Sequence, residues 1–376
     1  MLTVGSEGFS EDVQANIVSP ASTPELVRKA RSHLRGFAMD PNRMNRHPTT
    51  LIDLDPHPII NAMLDCAPTE DGQRYVACAI ISCQEHTNLL VDLANTWLRY
   101  FLLVFKGNSD ARNDGEPSGQ ATPTFQATAI QLESIRSSRK SSFRDNLLER
   151  DGYRCGLTGI YEISRIAPSV EGPKATLEAA HILKRAVAIF DNKQEKSVIA
   201  TWDIIRQYAH WPETTLGSML DLIDEPENGF LLQHDLHQGF EKLWWTLIPE
   251  TTIPNTYRVK LFRGDAIPWP HNKVITFKNH EPPEGLLKVP SPKTHPLPNP
   301  SFLALHAALA QVLHMSGAGE VIDLYMDRLS KDRHEFLLTR YATVTNWPCS
   351  CLRYSYKTVS DESIKCHFWA EVMSIM

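Results

Sequence analysis

Fifteen consecutive residues constrain this chain more than any other stretch: Glu227-Asn-Gly-Phe-Leu-Leu-Gln-His-Asp-Leu-His-Gln-Gly-Phe-Glu241. Asn228-Gly229 is a turn dipeptide. Residues 230–232 form a short apolar run suited to a buried strand. Asp235 can cap a helix opening just after it. On that helix His237 and Glu241 are four apart and share a face. An imidazole and a carboxylate so placed can share one divalent cation. Upstream, Leu177-Glu-Ala-Ala-His-Ile-Leu183 puts His181 in an apolar segment that reads as a strand, and Tyr153-Arg-Cys-Gly-Leu-Thr-Gly159 precedes it. Strand, turn, strand and helix make a small α+β unit.

Composition narrows the class. The 376 residues are 42% hydrophobic and 22% charged, enough apolar material for one large core or two ordinary ones. With 38 basic against 44 acidic residues the formal charge is −6, so no basic footprint marks the whole chain. Residues 131–280 carry 19 basic and 19 acidic side chains. A nucleic-acid enzyme with that balance must gather its cations near a cleft. The odd count of seven scattered cysteines suits a reducing, intracellular setting rather than a disulfide framework. Met1 to Glu7 shows neither a basic start nor an apolar run, so no signal peptide is expected. The longest apolar stretch, 89–105, is broken by Asp92, Asn95 and Arg99 and is too polar for a membrane span.

The expected organisation is a loosely ordered segment over 1–50, with a short helix at 24–36 capped by Thr23. A helical region over 51–106 and a flexible linker at 107–125 follow. Residues 126–280 hold the domain with the two informative blocks. Within it, a helix over 126–149 carries the basic run Arg136, Arg139, Lys140 and Arg144. A helical insertion spans 186–223, and 257–262 and 273–277 alternate like strands. Seven prolines make 281–300 an extended connector. A helical region over 301–345 and a poorly ordered tail at 346–376 complete the chain.

The ordered set Arg154-Cys155-x-x-Thr158-Gly159, Ala180-His181-Ile182, Asn228-Gly229 and Leu236-His237-x-x-Phe240-Glu241 resembles the HNH endonuclease family over 150–247. The namesake residues fall at His181, Asn228 and His237, with eight residues between the last two. The resemblance implies a ββα-metal fold, here with a helical insertion and helical flanks. It implies a nuclease hydrolysing phosphodiester bonds in nucleic acid, with DNA as the expected substrate. His181 would be the general base and Asn228 the anchor of its loop. His237 and Glu241 would hold the metal, and a carboxylate there favours Mg²⁺ or Mn²⁺. Glu178 could add a ligand where Ala180 supplies none. Arg154 and His234 could contact phosphate, although an ion pair and a surface role fit them as well. The paired cysteines of zinc-stabilised members are absent at Thr158, Gln233 and Leu236, so no structural zinc is expected. Ala180 and the neutral domain charge keep an alternative open: the same scaffold used as a binding protein or in other acid/base chemistry. No membrane partner is expected, and nothing in the helical flanks names a protein partner.

Overall fold

The computed structural model describes residues 4, 7–44, 54–84, 86–106, 142–188, 195–212, 222–250, 252–264, 271–287 and 293–328. The chain divides into two units, 1–322 and 323–376. Of the second only 323–328 are described, and they are helical. The expected linker at 107–125, the basic residues Arg136, Arg139 and Lys140, and the tail at 346–376 lie outside the described residues.

The class is α+β, dominated by helices with small sheets. The helix expected at 24–36 is present and longer, and a second helix, not expected, precedes it. In chain order the two are α1 (Glu7–Ile17) and α2 (Thr23–Met39). Phe9, Val13, Leu26, Ala30, Leu34 and Phe37 recur at helical spacing and are buried. The polar composition of the segment belongs to the opposite face. The cap is Ser22 rather than Thr23, because Glu25 reaches back to the Ser22 amide at 2.8 Å and its hydroxyl at 2.9 Å.

Helices α3 (Pro56–Asp65), α4 (Glu70–Ser82) and α5 (Thr87–Trp97) follow. A wide π turn at Leu98–Leu102 carries α5 into α6 (Leu103–Lys106). Asp55 and Thr69 cap α3 and α4 with side-chain acceptors. Gly72 lets α4 come close to the later segment holding Tyr208: a Cβ there would sit 1.9 Å from the Tyr208 carbonyl oxygen.

Next come α7 (Phe143–Arg150), a two-residue parallel pair β1 (Tyr161–Glu162) and β2 (Lys174–Ala175), and β3 (Leu177–His181). Between β3 and its partner the chain makes a short 3₁₀ turn at Arg185–Ala188 and helix α8 (Glu195–Ala209). It then returns as β4 (Gly229–Gln233), antiparallel to β3 with His181 opposite Gly229 and Glu178 opposite Leu232. β4 runs directly into α9 (His234–Glu241). The helix therefore opens at His234 with Gln233 as its cap, and Asp235 lies inside the first turn rather than before it. An acidic residue there still favours the helix N-terminus. A three-stranded antiparallel sheet follows: β5 (Trp245–Pro249), β6 (Thr256–Leu261) and β7 (Val274–Thr276). Helix α10 (Pro300–Met315), capped by Asn299, packs on β5.

Over 281–287 and 293–300 the proline-rich connector is not a free spacer. His280 N donates to the Arg150 carbonyl and Ala167 N to the Gly285 carbonyl, both at 2.9 Å. Asn299 N donates to the Glu227 carbonyl at 2.8 Å. The segment is thereby tied to the body it leaves. Arg150 is the chief fastener. Fully buried, it donates to the carbonyls of Pro226 (2.6 Å), Gly229 (2.7 Å) and Pro296 (3.2 Å) and pairs with Asp151 at 2.7 Å. Asp151 in turn accepts from Leu231 N at 3.0 Å. A buried ion pair so fully hydrogen-bonded is tolerable only as a set, since loss of either partner strands a charge.

Candidate active site

β3, β4 and α9 bring the candidate residues to one partly open edge. His181 ends β3. Its Nε2 lies 3.1 Å from Asp224 Oδ1, and Asp224 Oδ2 accepts from Arg185 Nε at 3.1 Å. A carboxylate can only accept, so Nε2 carries the proton and Nδ1 keeps its lone pair. The ring stacks on Phe143 at 4.2 Å between centroids and 22° between planes. Gly229 makes room for that contact: a Cβ there would meet Phe143 Cζ at 2.6 Å and the Ala180 carbonyl at 2.7 Å. Burial lowers the His181 pKa most. Asp224 opposes the shift, and Arg185 and His237 add to it. The net direction is downward, so the imidazole is neutral and basic at neutral pH.

Asn228 is fully buried. Its Oδ1 accepts from Leu183 N at 2.8 Å, and its Nδ2 donates to the carbonyls of Leu183 (3.0 Å) and Ile223 (2.9 Å). Ile182 N donates to the Asn228 carbonyl at 2.9 Å. The side chain thus ties the segment leaving His181 to the one that carries Asp224.

His237 and Glu241 lie on α9, with Nε2 3.5 Å from Glu241 Oε1. Glu178 Oε2 is 2.5 Å from His237 Nδ1, and Glu178 Oε1 is 2.8 Å from His234 Nδ1. Burial pulls the His237 pKa down, yet Glu241 and Glu178 together raise it above the ordinary value. His237 holds Glu241 below the usual carboxylate range, opposed by burial. Burial raises Glu178 most among single influences, but His237 and His234 carry it below its ordinary value. His181 and Lys184 also act on Glu241 through space, so both histidines share one electrostatic neighbourhood. His181 and His237 side chains are 20% and 16% exposed, open enough for a substrate oxygen to reach.

This donor set fits a hydrated cation held by two protein ligands. Ligand atoms about 2.1 Å from one ion stand roughly 3.0–3.4 Å apart at ordinary angles, close to the observed His237–Glu241 separation. With Nδ1–H given to Glu178, Nε2 is the nitrogen left for the ion, the usual carboxylate–histidine arrangement behind a metal. Among the described residues no group of three or more His, Cys, Asp or Glu side chains is arranged to hold a metal. Glu178 meets the Nδ1 side of the His237 ring, the side away from Glu241.

The remaining candidates are held by contacts of their own. Arg154 Nη2 donates to the Tyr161 hydroxyl at 2.6 Å, and its guanidinium lies 4.5 Å from that ring's centroid. His234 is a surface residue held by Glu178 and by Gln238 at 2.9 Å. Arg144, read as part of a basic run, is spent on Glu162 (3.0 Å) and the Leu177 carbonyl (3.1 Å). Cys155 is buried, and its turn is closed by Gly159 N donating to the Cys155 carbonyl and Cys155 N donating to that of Ile160, both at 2.9 Å.

Asp224, Phe143 and Lys184 did not stand out in the sequence. For Asp224 the one available signal is its place four residues before Asn228 in a turn-rich stretch. No curated protein and no solved structure matches the chain. Residues 155–248, which hold every one of the imidazole and carboxylate side chains gathered at this edge, match the model of the HNH endonuclease family.

Proposed function

We propose that the protein is a metal-dependent HNH-type endonuclease that hydrolyses phosphodiester bonds, with DNA as its substrate and an intracellular site of action. One observation carries the reading: a neutral imidazole with its tautomer fixed by Asp224 shares a neighbourhood with a carboxylate-backed imidazole one helical turn from Glu241. His181 Nδ1 takes the proton from the attacking water, and Asp224 steadies the resulting imidazolium. Asn228 keeps the His181 strand end in register with the Asp224 turn. His237 Nε2 and Glu241 would hold a divalent ion, Mg²⁺ or Mn²⁺. Bound there, the ion supplies positive charge to the phosphate and to the leaving oxygen. Phe143 closes one face of the His181 ring against water.

The test is nicking of supercoiled plasmid by the full chain with Mg²⁺ or Mn²⁺. The parent protein should nick and His181→Ala should not, with an unchanged far-ultraviolet spectrum. A second reading, a binding protein on the same scaffold, draws support from the fully buried Ala180, which offers no ligand. Nicking by the parent protein that vanishes in His181→Ala decides against it.

A further inference from the structure

Past Glu241 the chain makes a sharp turn. Leu243 adopts φ +59°, a conformation rare for a branched side chain. Leu243 N donates to the Phe240 carbonyl at 3.0 Å and Trp244 N to the Gly239 carbonyl at 2.9 Å. The turn brings Lys242 Nζ to 4.7 Å from the centroid of the Trp244 ring. Arg263, just beyond β6, places its guanidinium 5.4 Å from the same ring, and its backbone N donates to the Trp244 carbonyl at 3.2 Å. Beside them Phe262 stacks on His314 at 4.4 Å with parallel planes, and Lys260 Nζ lies 5.2 Å from the Phe262 ring. Lys106, at the end of α6, donates to the Lys242 carbonyl at 2.7 Å. Lys242 and Arg263 thus share the Trp244 ring, Lys260 rests on the Phe262 ring, and Lys106 is tied to the turn through the Lys242 carbonyl. Glu241 lies at one edge, and Glu320 acts on His314 at the other.

This concentration runs against the average of a chain with net charge −6. Among the described residues neither Lys242 nor Lys260 is ion-paired with a carboxylate; rings and the Gln311 amide are their neighbours. A cation resting on a ring keeps its charge facing outward and its stem partly ordered, so less freedom is lost when it meets an anion. The patch begins one residue after Glu241, at the C-cap of the helix that carries His237.

We propose that Lys242, Arg263 and Lys260 form a phosphate-tracking surface that holds the backbone of a nucleic-acid strand as it leaves the candidate active site. The choice of ligand rests on the nuclease reading. The phosphates flanking a cleaved bond continue along the strand at a few ångströms' spacing, and a row of cations beyond Glu241 meets them. The guanidinium of Arg263 and the two lysine ammoniums each meet a phosphate through their positive charge.

The test is fluorescence anisotropy with the full chain in EDTA, where metal-dependent cleavage is off. The probes are a labelled 30-mer as duplex DNA, as single-stranded DNA and as RNA. Lys242→Gln with Arg263→Gln should weaken binding about tenfold to at least one probe. It should also flatten the dependence of log K on log salt by about 0.7 to 0.9 per lost contact. The probe losing most identifies the strand type. The charge-keeping pair Lys242→Arg with Arg263→Lys should bind within about twofold of the parent. Equal binding by the Gln pair on all three probes, or no binding by the parent to any, overturns the proposal. So does a charge-keeping pair as weak as the Gln pair. A parent protein that binds as described yet never nicks DNA with Mg²⁺ or Mn²⁺ defeats the nuclease reading and leaves the surface standing.

Discussion

Asn228 and Leu183 exchange two hydrogen bonds: the side-chain oxygen accepts from the Leu183 amide at 2.8 Å and the side-chain nitrogen donates to the Leu183 carbonyl at 3.0 Å. The second Nδ2 proton goes to Ile223. All three bonds are buried, so a truncated side chain leaves backbone groups without partners. Asn228→Ala should cost about 3 kcal/mol of unfolding free energy, given ~1–3 kcal/mol for each stranded buried group. Urea unfolding reads this directly, and a cost under about 1 kcal/mol would refute the clamp.

The His181–Asp224 pair makes a prediction with a sign. Burial sets the His181 pKa below 6.5, so the unprotonated base persists as pH falls through 6.5. The acid limb of kcat/KM should therefore lie below pH 6.5. Asp224 raises that pKa, so Asp224→Asn should move the limb to still lower pH. The same change should lower the plateau about 10–100-fold, because the tautomer and ring orientation are no longer held. A limb that stays put or moves upward in the variant would remove Asp224 from this role.

Glu178 is hydrogen-bonded to His237 Nδ1, and its removal should be felt through the imidazole. Glu178→Gln should weaken Mn²⁺ binding about 10–100-fold in a calorimetric titration, as loss of a carboxylate behind a ligating histidine does. Glu241→Gln should weaken it at least as much. Unchanged affinity in both variants would place the ion elsewhere.

Some of this arrangement was readable in the chain. His237 and Glu241 declared a shared helical face by spacing alone, and 230–232 declared a buried strand by its apolar run. His181 stood out only beside Asn228 and His237. Asp224 was hidden because its pairing with His181 spans 43 residues and depends on where a helical insertion returns. Phe143 was hidden for a similar reason: the missing Cβ of Gly229 makes its place, and a glycine after asparagine reads simply as a turn. Helix α1 was obscured because its polar residues dominate the composition of the segment, whereas the capped start of α2 was readable. Arg150 shows the opposite failure, a charged residue whose full burial only three converging carbonyls from two distant segments explain. The cations of the Trp244 patch are spread over more than 150 positions of sequence, so no local run announces them.

His306 gives the last prediction, one of stability. Its Nε2 lies 3.2 Å from the Phe240 carbonyl and its Nδ1 2.9 Å from the Thr246 hydroxyl, and its ring stacks on Phe240 at 3.8 Å. A carbonyl accepts only, so Nε2 bears the proton and the hydroxyl donates to Nδ1. A second proton would break the Thr246 bond and bury a cation between α10 and the end of α9. Burial accordingly pushes the pKa down to about 3, with the Phe240 carbonyl opposing and Lys184 adding to the shift. The folded pKa is below the unfolded one, so the unfolded chain binds the extra proton first as pH falls below 6.5. Stability is then lost progressively down to the folded pKa. Between pH 7 and pH 5 this one group should cost about 2 kcal/mol. Comparing urea unfolding of the parent and His306→Gln at both pH values isolates it. The parent's stability relative to the variant should fall by about that amount on acidification, and a difference independent of pH would show that His306 is not buried as a neutral ring.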